Sequence, residues 1–452
     1  EAPMSEKTCC PPTCCAETKP VAAVSKAQNP SSLPIAILGA GPVGLAAAAE
    51  CAQRNLPFVL LEQGPAVAHS VSEWGHVQLF SPWRYNLQRQ ARALLEASGW
   101  TAPDEEALPT GAELVELYLQ PLANHPAIKP SLRLNARVES VGRKNIDKLR
   151  TAGRAEQPFQ ISLADGTQLE ARAVIDATGS WSSPNPLGSS GYPVPGEHEH
   201  KDRITYGIPD VLERHRSRYA GKTNVVVGAG HSAITVVLDL VELQRSEPNT
   251  KILWVMRRDN LASIFGGEGA DALPARGALG TGARQAIESG AVQAVTPFLL
   301  SQIAAAQGKL QLKGTLKGEA HSLEADQIIA CTGFRPNLQP LKEVRLQLDP
   351  ILEAAEKLGP LIDPNEHSCG TVPPHGYQEL SHPEADFYIV GMKSYGRAPT
   401  FLMATGYEQV RSIVAALAGD WEAAQKVELD LPATGVCRLD FASTSAASNC
   451  CA

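Results

Sequence analysis

Three glycines near the beginning of the sequence have the spacing of a phosphate-binding turn. Gly39, Gly41 and Gly44 follow a short apolar run and precede an alanine-rich segment with strong helix propensity. The first glycine permits a tight turn, the second lets the backbone approach a pyrophosphate, and the third lets the helix pack closely on the strand. Glu62 ends the next apolar run and can accept hydrogen bonds from two ribose hydroxyls. This order of strand, glycine turn, helix, strand and acid predicts a dinucleotide-binding unit.

A second turn of this kind lies in the middle of the chain. Gly228 and Gly230 occupy the first two glycine positions, an alanine occupies the third, and Ser232 lies at the start of the following helical segment. The next apolar strand ends at Arg257 and Arg258, where the first unit has an acid. A 2′-phosphate is repelled by a carboxylate and attracted by a guanidinium. We therefore expect this site to prefer NADPH to NADH, the alternative being that the two arginines are a solvated charge pair.

The chain that positions these residues is large and mildly acidic. Its 452 residues correspond to about three domains at roughly 150 residues each. Its 40 basic and 48 acidic residues give a net charge of −8, which argues against a nucleic-acid partner. No apolar run reaches the roughly 18 residues that span a membrane, and the polar start has no secretory signal. We expect a cytoplasmic protein without a membrane or nucleic-acid partner.

Four short motifs are similar to those of flavoproteins with two dinucleotide-binding domains. This family includes flavin-containing monooxygenases and thioredoxin-reductase-like enzymes. The motifs are the two glycine turns and residues 176–179 and 331–335. The resemblance implies that the first turn binds FAD and the second binds NADPH. It also implies four further cofactor contacts, which are Gly179, Gly333, Gly391 and Met392.

The same resemblance implies an α/β architecture of two Rossmann-like domains. The NADPH domain is inserted into a discontinuous FAD domain, and a tail that contains paired cysteines lies at each end. The expected division in chain order is a Cys-rich N-terminal tail at 1–32, the first part of the FAD domain at 33–203, the NADPH domain at 204–339, the second part of the FAD domain at 340–429 and a C-terminal tail at 430–452.

The reductases of this family carry a redox-active cysteine pair that this sequence lacks. The pair is either CxxxxC soon after the first glycine turn or CxxC in the NADPH domain. Cys51 has no partner at either spacing, and residues 204–330 contain no cysteine. Cys51 and Cys331 are therefore interpreted as small packed residues. Without a dithiol in the core, reduced flavin would pass electrons to oxygen or directly to a substrate.

An aromatic-rich segment follows the first dinucleotide unit. Residues 74–85 contain four aromatic side chains, in a chain that is 5% aromatic overall. A monooxygenase needs a dry pocket beside its flavin, and this segment could form its wall, with Trp83 as a substrate contact. Ordinary core packing explains the same residues equally well. The FxGxxxHxxx fingerprint of flavin-containing monooxygenases is absent from the sequence.

Three adjacent cysteine pairs lie near the chain ends, formed by Cys9, Cys10, Cys14, Cys15, Cys450 and Cys451. Thiolates are soft ligands that suit trivalent arsenic and divalent mercury. Adjacent pairs strain an intramolecular disulfide and lack the CxxC spacing of zinc sites, so no resident metal is expected. The chain resembles flavin-dependent monooxygenase-like proteins of bacterial arsenic-resistance operons, particularly at 83–87 and 391–402. This implies that the tail cysteines bind a trivalent arsenical, and an incidental cysteine-rich tail is the alternative.

Cys369 lies in a histidine-containing loop before the last apolar strand, and a nearby imidazole could poise it as a thiolate. It is the candidate catalytic residue, holding arsenic beside the flavin, and a loop cysteine without a role is the alternative. The sequence thus predicts an NADPH- and FAD-dependent monooxygenase that uses O2 to oxidise a trivalent arsenical, on the resemblance a methylated one, to the pentavalent form. Two alternatives stay open, namely a flavoprotein reductase of a thiol-bound metal or tail disulfide, and a thiol-based metal- or metalloid-binding protein.

Overall fold

The computed structural model describes residues 32–429 except residues 260, 262, 263, 267, 272, 367–371 and 400. These residues form sixteen strands, in chain order β1 (Ile35–Leu38), β2 (Phe58–Leu61), β3 (Leu132–Arg133), β4 (Val138–Arg143), β5 (Phe159–Leu163), β6 (Gln168–Ala171), β7 (Ala173–Asp176), β8 (Ile204–Tyr206), β9 (Thr223–Val227), β10 (Lys251–Val255), β11 (Gln293–Val295), β12 (Phe298–Ala306), β13 (Lys309–Leu316), β14 (Glu319–Ala325), β15 (Gln327–Ala330) and β16 (Phe387–Ile389).

The same residues form twelve α-helices, which are α1 (Pro42–Gln53), α2 (His69–Glu73), α3 (Trp83–Asn86), α4 (Arg89–Ala97), α5 (Gly111–Leu114), α6 (Gln120–Asn124), α7 (Arg216–Tyr219), α8 (His231–Ser246), α9 (Pro274–Glu288), α10 (Gly359–Ile362), α11 (Met403–Leu417) and α12 (Trp421–Gln425). A π-helical turn lies at Val115–Leu119, and 3₁₀ turns lie at Lys129–Ser131, Lys201–Arg203, Glu268–Ala270, Gln339–Leu341 and Gly391–Tyr395. In this described part of the chain, no helix has both the length and the apolar character to cross a bilayer.

The first parallel sheet has the strand order β16-β7-β1-β2-β3. All four residues of β1 and of β7 are buried, as expected for central strands of a parallel sheet whose two faces are covered. Helix α1 follows β1 directly and begins at Pro42, a position where the missing proline N–H breaks no helical hydrogen bond. Residues 46–49, all alanines, are fully buried, and the helix packs against the sheet and against α11.

The second parallel sheet has the order β11-β10-β9-β15-β8. All its strands lie between β7 and β16 in sequence, so this sheet interrupts the first. The predicted fold class is confirmed, because the chain forms two Rossmann-like α/β units with one inserted in the other. Two antiparallel three-stranded sheets, β4-β5-β6 and β12-β13-β14, complete the architecture.

A buried ion triad joins the two parts of the interrupted domain. The Glu384 carboxylate accepts hydrogen bonds from Arg143 Nε (2.8 Å) and Arg154 Nη2 (2.7 Å). None of the three residues is more than 6% exposed. Burial by itself would raise the pKa of Glu384, but the hydrogen bonds from Arg154 and Arg143 hold it below its ordinary value. The late segment before β16 is thereby fixed to the early β4–β5 hairpin.

Candidate functional site

The first glycine turn leaves open space next to the start of α1. Gly39 has φ +92°, and a Cβ there would lie 2.7 Å from the carbonyl oxygen of Ala177. A Cβ on Gly44 would lie 1.8 Å from the Gly39 oxygen, so both positions are fixed by packing. At Gly41, by contrast, no atom lies within 4 Å of where a Cβ would be. This turn therefore fits a pyrophosphate that approaches the free N–H groups of α1.

The Glu62 carboxylate lies beside this turn and can accept further hydrogen bonds. The side chain is 6% exposed, Oε2 accepts from the Ala40 N–H (2.9 Å) and Oε1 accepts from the Gly64 N–H (2.9 Å). Each carboxylate oxygen has two acceptor positions, so one remains on each oxygen. The arrangement fits the two adjacent hydroxyls of the FAD adenosine ribose.

Two more glycines mark the carboxyl ends of β7 and β16, at the same edge of the sheet. Gly179 (φ +66°) has no atom within 4 Å of a hypothetical Cβ, whereas one on Gly391 (φ +68°) would lie 3.3 Å from a Val43 methyl group. Met392 follows in the 3₁₀ turn and is half-buried. Ligands of open α/β sheets bind outside the carboxyl ends of the strands. The predicted FAD contacts are therefore grouped at one edge.

The sequence interpretation missed a buried ion pair at this edge. Lys393 Nζ lies 2.7 Å from Asp176 Oδ2 and donates to Thr178 Oγ1 (3.0 Å). Thr178 in turn donates its hydroxyl to Asp176 Oδ1 (2.6 Å). The Lys393 and Asp176 side chains are 3% and 2% exposed. This cluster ties the end of β7 to the turn after β16, on which Gly391 and Met392 lie.

The buried side-chain amide of Gln409 supports the same turn, and the sequence did not predict this contact. Gln409 Oε1 accepts from the Gly391 N–H (2.8 Å), and Nε2 lies 2.9 Å from Ser394 Oγ and 3.0 Å from His375 Nε2. Burial lowers the pKa of His375, so the neutral ring accepts at Nε2 and donates from Nδ1 to the Pro373 carbonyl (3.1 Å). These neutral hydrogen bonds hold the Gly391 end of the turn, in addition to the ion pair between Lys393 and Asp176.

The second glycine turn repeats the geometry of the first. Gly228 has φ +140°, and a Cβ there would lie 2.2 Å from the Cys331 oxygen, whereas Gly230 again has no atom within 4 Å. Ser232 lies in the first turn of α8, and the alanine after it is fully buried. Gly333 (φ +81°) follows β15, next to the turn. The site fits a second pyrophosphate at the start of α8.

The two arginines follow the end of β10 at the carboxyl edge of the second sheet. Arg257 is exposed and its Nη1 donates to the Ser189 carbonyl (3.1 Å). Arg258 is half-buried, and its carbonyl accepts a hydrogen bond from the Thr296 hydroxyl. Guanidinium groups at this position can hold the 2′-phosphate of NADPH.

The aromatic segment lies between the two dinucleotide units. The Phe80 ring centroid is 5.5 Å from that of His231, the first residue of α8, and 6.0 Å from the Arg276 guanidinium carbon. On the other side, Trp181 packs on Phe334 with centroids 4.9 Å apart. The Phe80 contacts join the aromatic segment to helices α8 and α9 of the second dinucleotide unit.

Trp83, which the sequence predicts to contact a substrate, lies in the core of the first domain. Its side chain is 3% exposed and packs in the core cluster beneath the first sheet's helices. The predicted contact between Trp83 and a substrate stays a prediction. Its apolar size and aromatic character suited a core position as well as a pocket wall.

The two described cysteines are both buried. Cys51 is fully buried, Cys331 is 7% exposed, and burial raises the pKa of each thiol to about 12. Neither forms a disulfide. Both match the prediction of small packed residues. In the part of the chain that the structure describes, no cluster of His, Cys, Asp and Glu could hold a metal ion. The other predicted cysteine sites lie outside the described residues, namely Cys9, Cys10, Cys14, Cys15, Cys369, Cys450 and Cys451.

Comparisons with known proteins agree with this architecture. The model of the pyridine nucleotide-disulphide oxidoreductase family matches residues 36–371. A ferredoxin–NADP reductase of Lactiplantibacillus plantarum is 29% identical over 308 residues, which are 66% of this chain and 72% of the relative.

Solved structures share the fold at lower identity. A bacillithiol disulfide reductase of Bacillus cereus superposes with TM-score 0.61 and 17% identity, over 85% of this chain and 99% of the other. A flavin-containing monooxygenase of Stenotrophomonas maltophilia gives TM-score 0.52 and 18% identity, over 86% and 98%. The chain therefore belongs to the pyridine nucleotide-disulphide oxidoreductase family, and it is an FAD-dependent NADPH oxidoreductase.

Proposed function

We propose that this oxidoreductase is a monooxygenase that converts a trivalent, methylated arsenical to its pentavalent form. The observation that carries the proposal is the state of the two described cysteines. Both are buried thiols with pKa values raised to about 12, so neither serves as a redox partner of the flavin. In the described residues no protein dithiol is available to accept electrons, which favours oxygen or an external substrate over a core disulfide as the acceptor; the tail cysteine pairs lie outside the described residues.

The residues of the chain would hold the two cofactors at the adjacent sheet edges. FAD would be held by Glu62 and the turn at 39–44, and NADPH by the turn at 228–233. When bound, FAD accepts a hydride from NADPH and supplies the electrons that activate O2. The contact between Phe80 and His231 would help to exclude water from the space between the two cofactors.

The chemistry at arsenic makes few demands on the protein. Trivalent arsenic has a lone pair that receives one oxygen atom of O2, and the second atom leaves as water. NADPH provides the two electrons together with one proton, and solvent provides the second proton. No base is needed to activate the substrate, so orientation and exclusion of water are the main tasks of the site.

The tail cysteines support an arsenical as the substrate. Six thiols in adjacent pairs suit a soft, thiophilic centre. A flexible tethered ligand raises the local substrate concentration, an effect that saturating substrate replaces. We assign delivery to the tail cysteines and the final hold on arsenic to Cys369, all of which lie outside the described residues.

The direct experiment measures NADPH and O2 consumption by the flavin-loaded full-length protein. Methylarsenite, arsenite and mercuric ion are compared, each with and without oxygen. We expect one O2 per NADPH and formation of methylarsonate with methylarsenite only. Turnover that needs no oxygen would reject the monooxygenase.

A second candidate is transfer of electrons to a protein acceptor. It is favoured by the similarity to ferredoxin–NADP reductases. Reduction of a ferredoxin under anaerobic conditions, at a rate that methylarsenite does not change, would support this candidate against the first.

Replacing cysteines separates delivery from chemistry. A variant with serine at all six tail positions should have a raised KM for the arsenical and a nearly unchanged kcat. Cys369→Ser should instead lower kcat. Cys51→Ser serves as the control for loss of a buried thiol, and a wild-type KM in the tail variant would reject delivery.

A further inference from the structure

The loop 188–192 lies directly beside the arginine pair that ends β10. Arg257 Nη1 donates to the Ser189 carbonyl (3.1 Å), so the loop and the exposed guanidinium form one continuous surface. The flanking residues Leu187 and Val194 are buried against the second sheet. The loop therefore belongs structurally to the NADPH domain, although it precedes β8 in sequence.

The loop is held rigidly at several points. The Gly191 N–H donates to the Gly188 carbonyl (3.0 Å), and Arg335 Nη2 donates to the Gly191 carbonyl (3.0 Å). A Cβ on Gly188 would lie 2.0 Å from the Tyr192 carbonyl oxygen, so the turn is tightly closed. The buried Glu197 carboxylate accepts the N–H groups of the two flanking apolar residues, each at 2.9 Å. Such a loop keeps its shape without a ligand.

Tyr192 projects from this fixed loop into solvent. Its side chain is 74% exposed, and within the described part of the chain it has neither a hydrogen-bond partner nor a stacked ring. A single exposed aromatic residue is ordinary by itself. Here the loop backbone that carries the ring is held in place, three residues from the Ser189 carbonyl that accepts from Arg257. An aromatic ring on the loop and a guanidinium bound to the loop backbone offer the two groups that recognise a phosphorylated nucleoside, since bases stack on aromatic rings and phosphates pair with arginine.

We infer that Tyr192 stacks on the adenine ring of NADPH, while Arg257 and Arg258 hold the 2′-phosphate of the same nucleoside. The ligand class that the loop recognises is an adenosine 2′-phosphate. This inference rests on the proposed role of the arginine pair. Because the loop is already ordered, little conformational entropy is lost when the base stacks, which favours affinity.

The test measures the dissociation constants of NADP⁺ and NAD⁺ for the flavin-loaded full-length protein by titration calorimetry. Tyr192→Ala should raise both dissociation constants by a similar factor, about 5- to 150-fold, because both nucleotides carry the same adenine. Tyr192→Phe keeps the ring and should retain the wild-type affinity. Leu149→Ala is the control for loss of an exposed apolar side chain, since Leu149 is 90% exposed in the other domain.

A fluorescent probe reports the stacking itself. We expect the etheno-adenine form of adenosine 2′,5′-bisphosphate to be quenched on binding to the wild type and to Tyr192→Phe, and to stay bright with Tyr192→Ala. Unchanged affinities in Tyr192→Ala would overturn the inference, as would a loss confined to NADP⁺. The arginine assignment fails independently if Arg257→Ala/Arg258→Ala leaves the ratio of the NADP⁺ and NAD⁺ constants unchanged.

Discussion

The buried pair of Lys393 and Asp176 should stabilise the fold and the flavin site together. The ammonium and carboxylate are 2.7 Å apart, and both side chains are at most 3% exposed. Lys393→Met removes the cation and leaves Asp176 Oδ2 without its partner. Removing one member of a buried ion pair costs about 3–5 kcal/mol of unfolding free energy, because the remaining charge is desolvated and unpaired. Asp176→Asn should cost a similar amount, since it leaves the ammonium unpaired.

The double variant Lys393→Met/Asp176→Asn removes both charges and should lose less than the sum of the two single losses. Direct neighbours in such cycles couple by about 0.5–3 kcal/mol, and we expect the upper half of that range here. The side-chain carbonyl of the new asparagine can still accept the hydrogen bonds from Thr178. Flavin occupancy should follow the same order, because the pair fixes the turn that carries Gly391.

The assay is equilibrium urea unfolding of the four proteins at one fixed FAD concentration, with flavin content measured in parallel. The exposed pair Arg54–Asp420 is the matched control, with the same contact type at 2.9 Å but side chains 24% and 45% exposed. Arg54→Met should lose no more than about 1 kcal/mol. If the single losses at Lys393 and Asp176 add within about 0.5 kcal/mol, the reasoning is refuted.

Three further predictions concern cofactors and pH. Gly41→Ala should fold but purify with little flavin absorbance, because its methyl group would occupy the open space at the turn. Gly44→Ala, whose methyl group would lie 1.8 Å from a backbone oxygen, should lose the fold as well, and full flavin occupancy in the first variant would contradict the assignment. Replacing Arg257 and Arg258 by alanine should lower the preference for NADPH over NADH, measured as the ratio of the two kcat/KM values, by roughly 10- to 150-fold per charge-assisted bond lost. An unchanged ratio would reject the role of the two arginines in binding the 2′-phosphate. Burial lowers the pKa of His382 to about 4. In the unfolded chain His382 binds its proton near pH 6.5, whereas the folded protein binds it only near pH 4. The free energy of unfolding is therefore highest above pH 6.5 and falls as the pH drops towards 4, because the unfolded state then binds the extra proton. His382→Gln should flatten urea stability between pH 6.5 and 4, and an unchanged slope would exclude this source.

The parts of the site that depend on local backbone requirements could be predicted from the sequence. Gly39 and Gly228 need positive φ and close approach to a neighbouring strand, and these demands leave a recognisable spacing. The parts of the site built from polar partners that are distant in the sequence could not be predicted. Lys393 and Asp176 are 217 positions apart, and no spacing or periodicity in the sequence predicts that they form an ion pair.

Two other residues show the same limit. Gln409 lies in a helix with no sequence signal that its amide would support the Gly391 turn. Trp83, predicted to contact a substrate, packs in the core, and aromatic size alone does not separate a core position from a pocket wall. Buried networks of this type are specified by the tertiary fold.

The interruption of one sheet by the other also orders events during synthesis. The strands of the second sheet are complete at Ala330, whereas the first sheet still lacks β16, and Arg143 and Arg154 lack the carboxylate of Glu384. Chains emerge from the ribosome with the N-terminus first. We therefore expect the inserted domain to fold on the ribosome while the first domain waits with an open strand edge, and the nascent chain to take up flavin last. Stalled chains long enough to expose Ala330 but not β16 should resist protease over the inserted domain only, and flavin retention should first occur in chains long enough to expose β16.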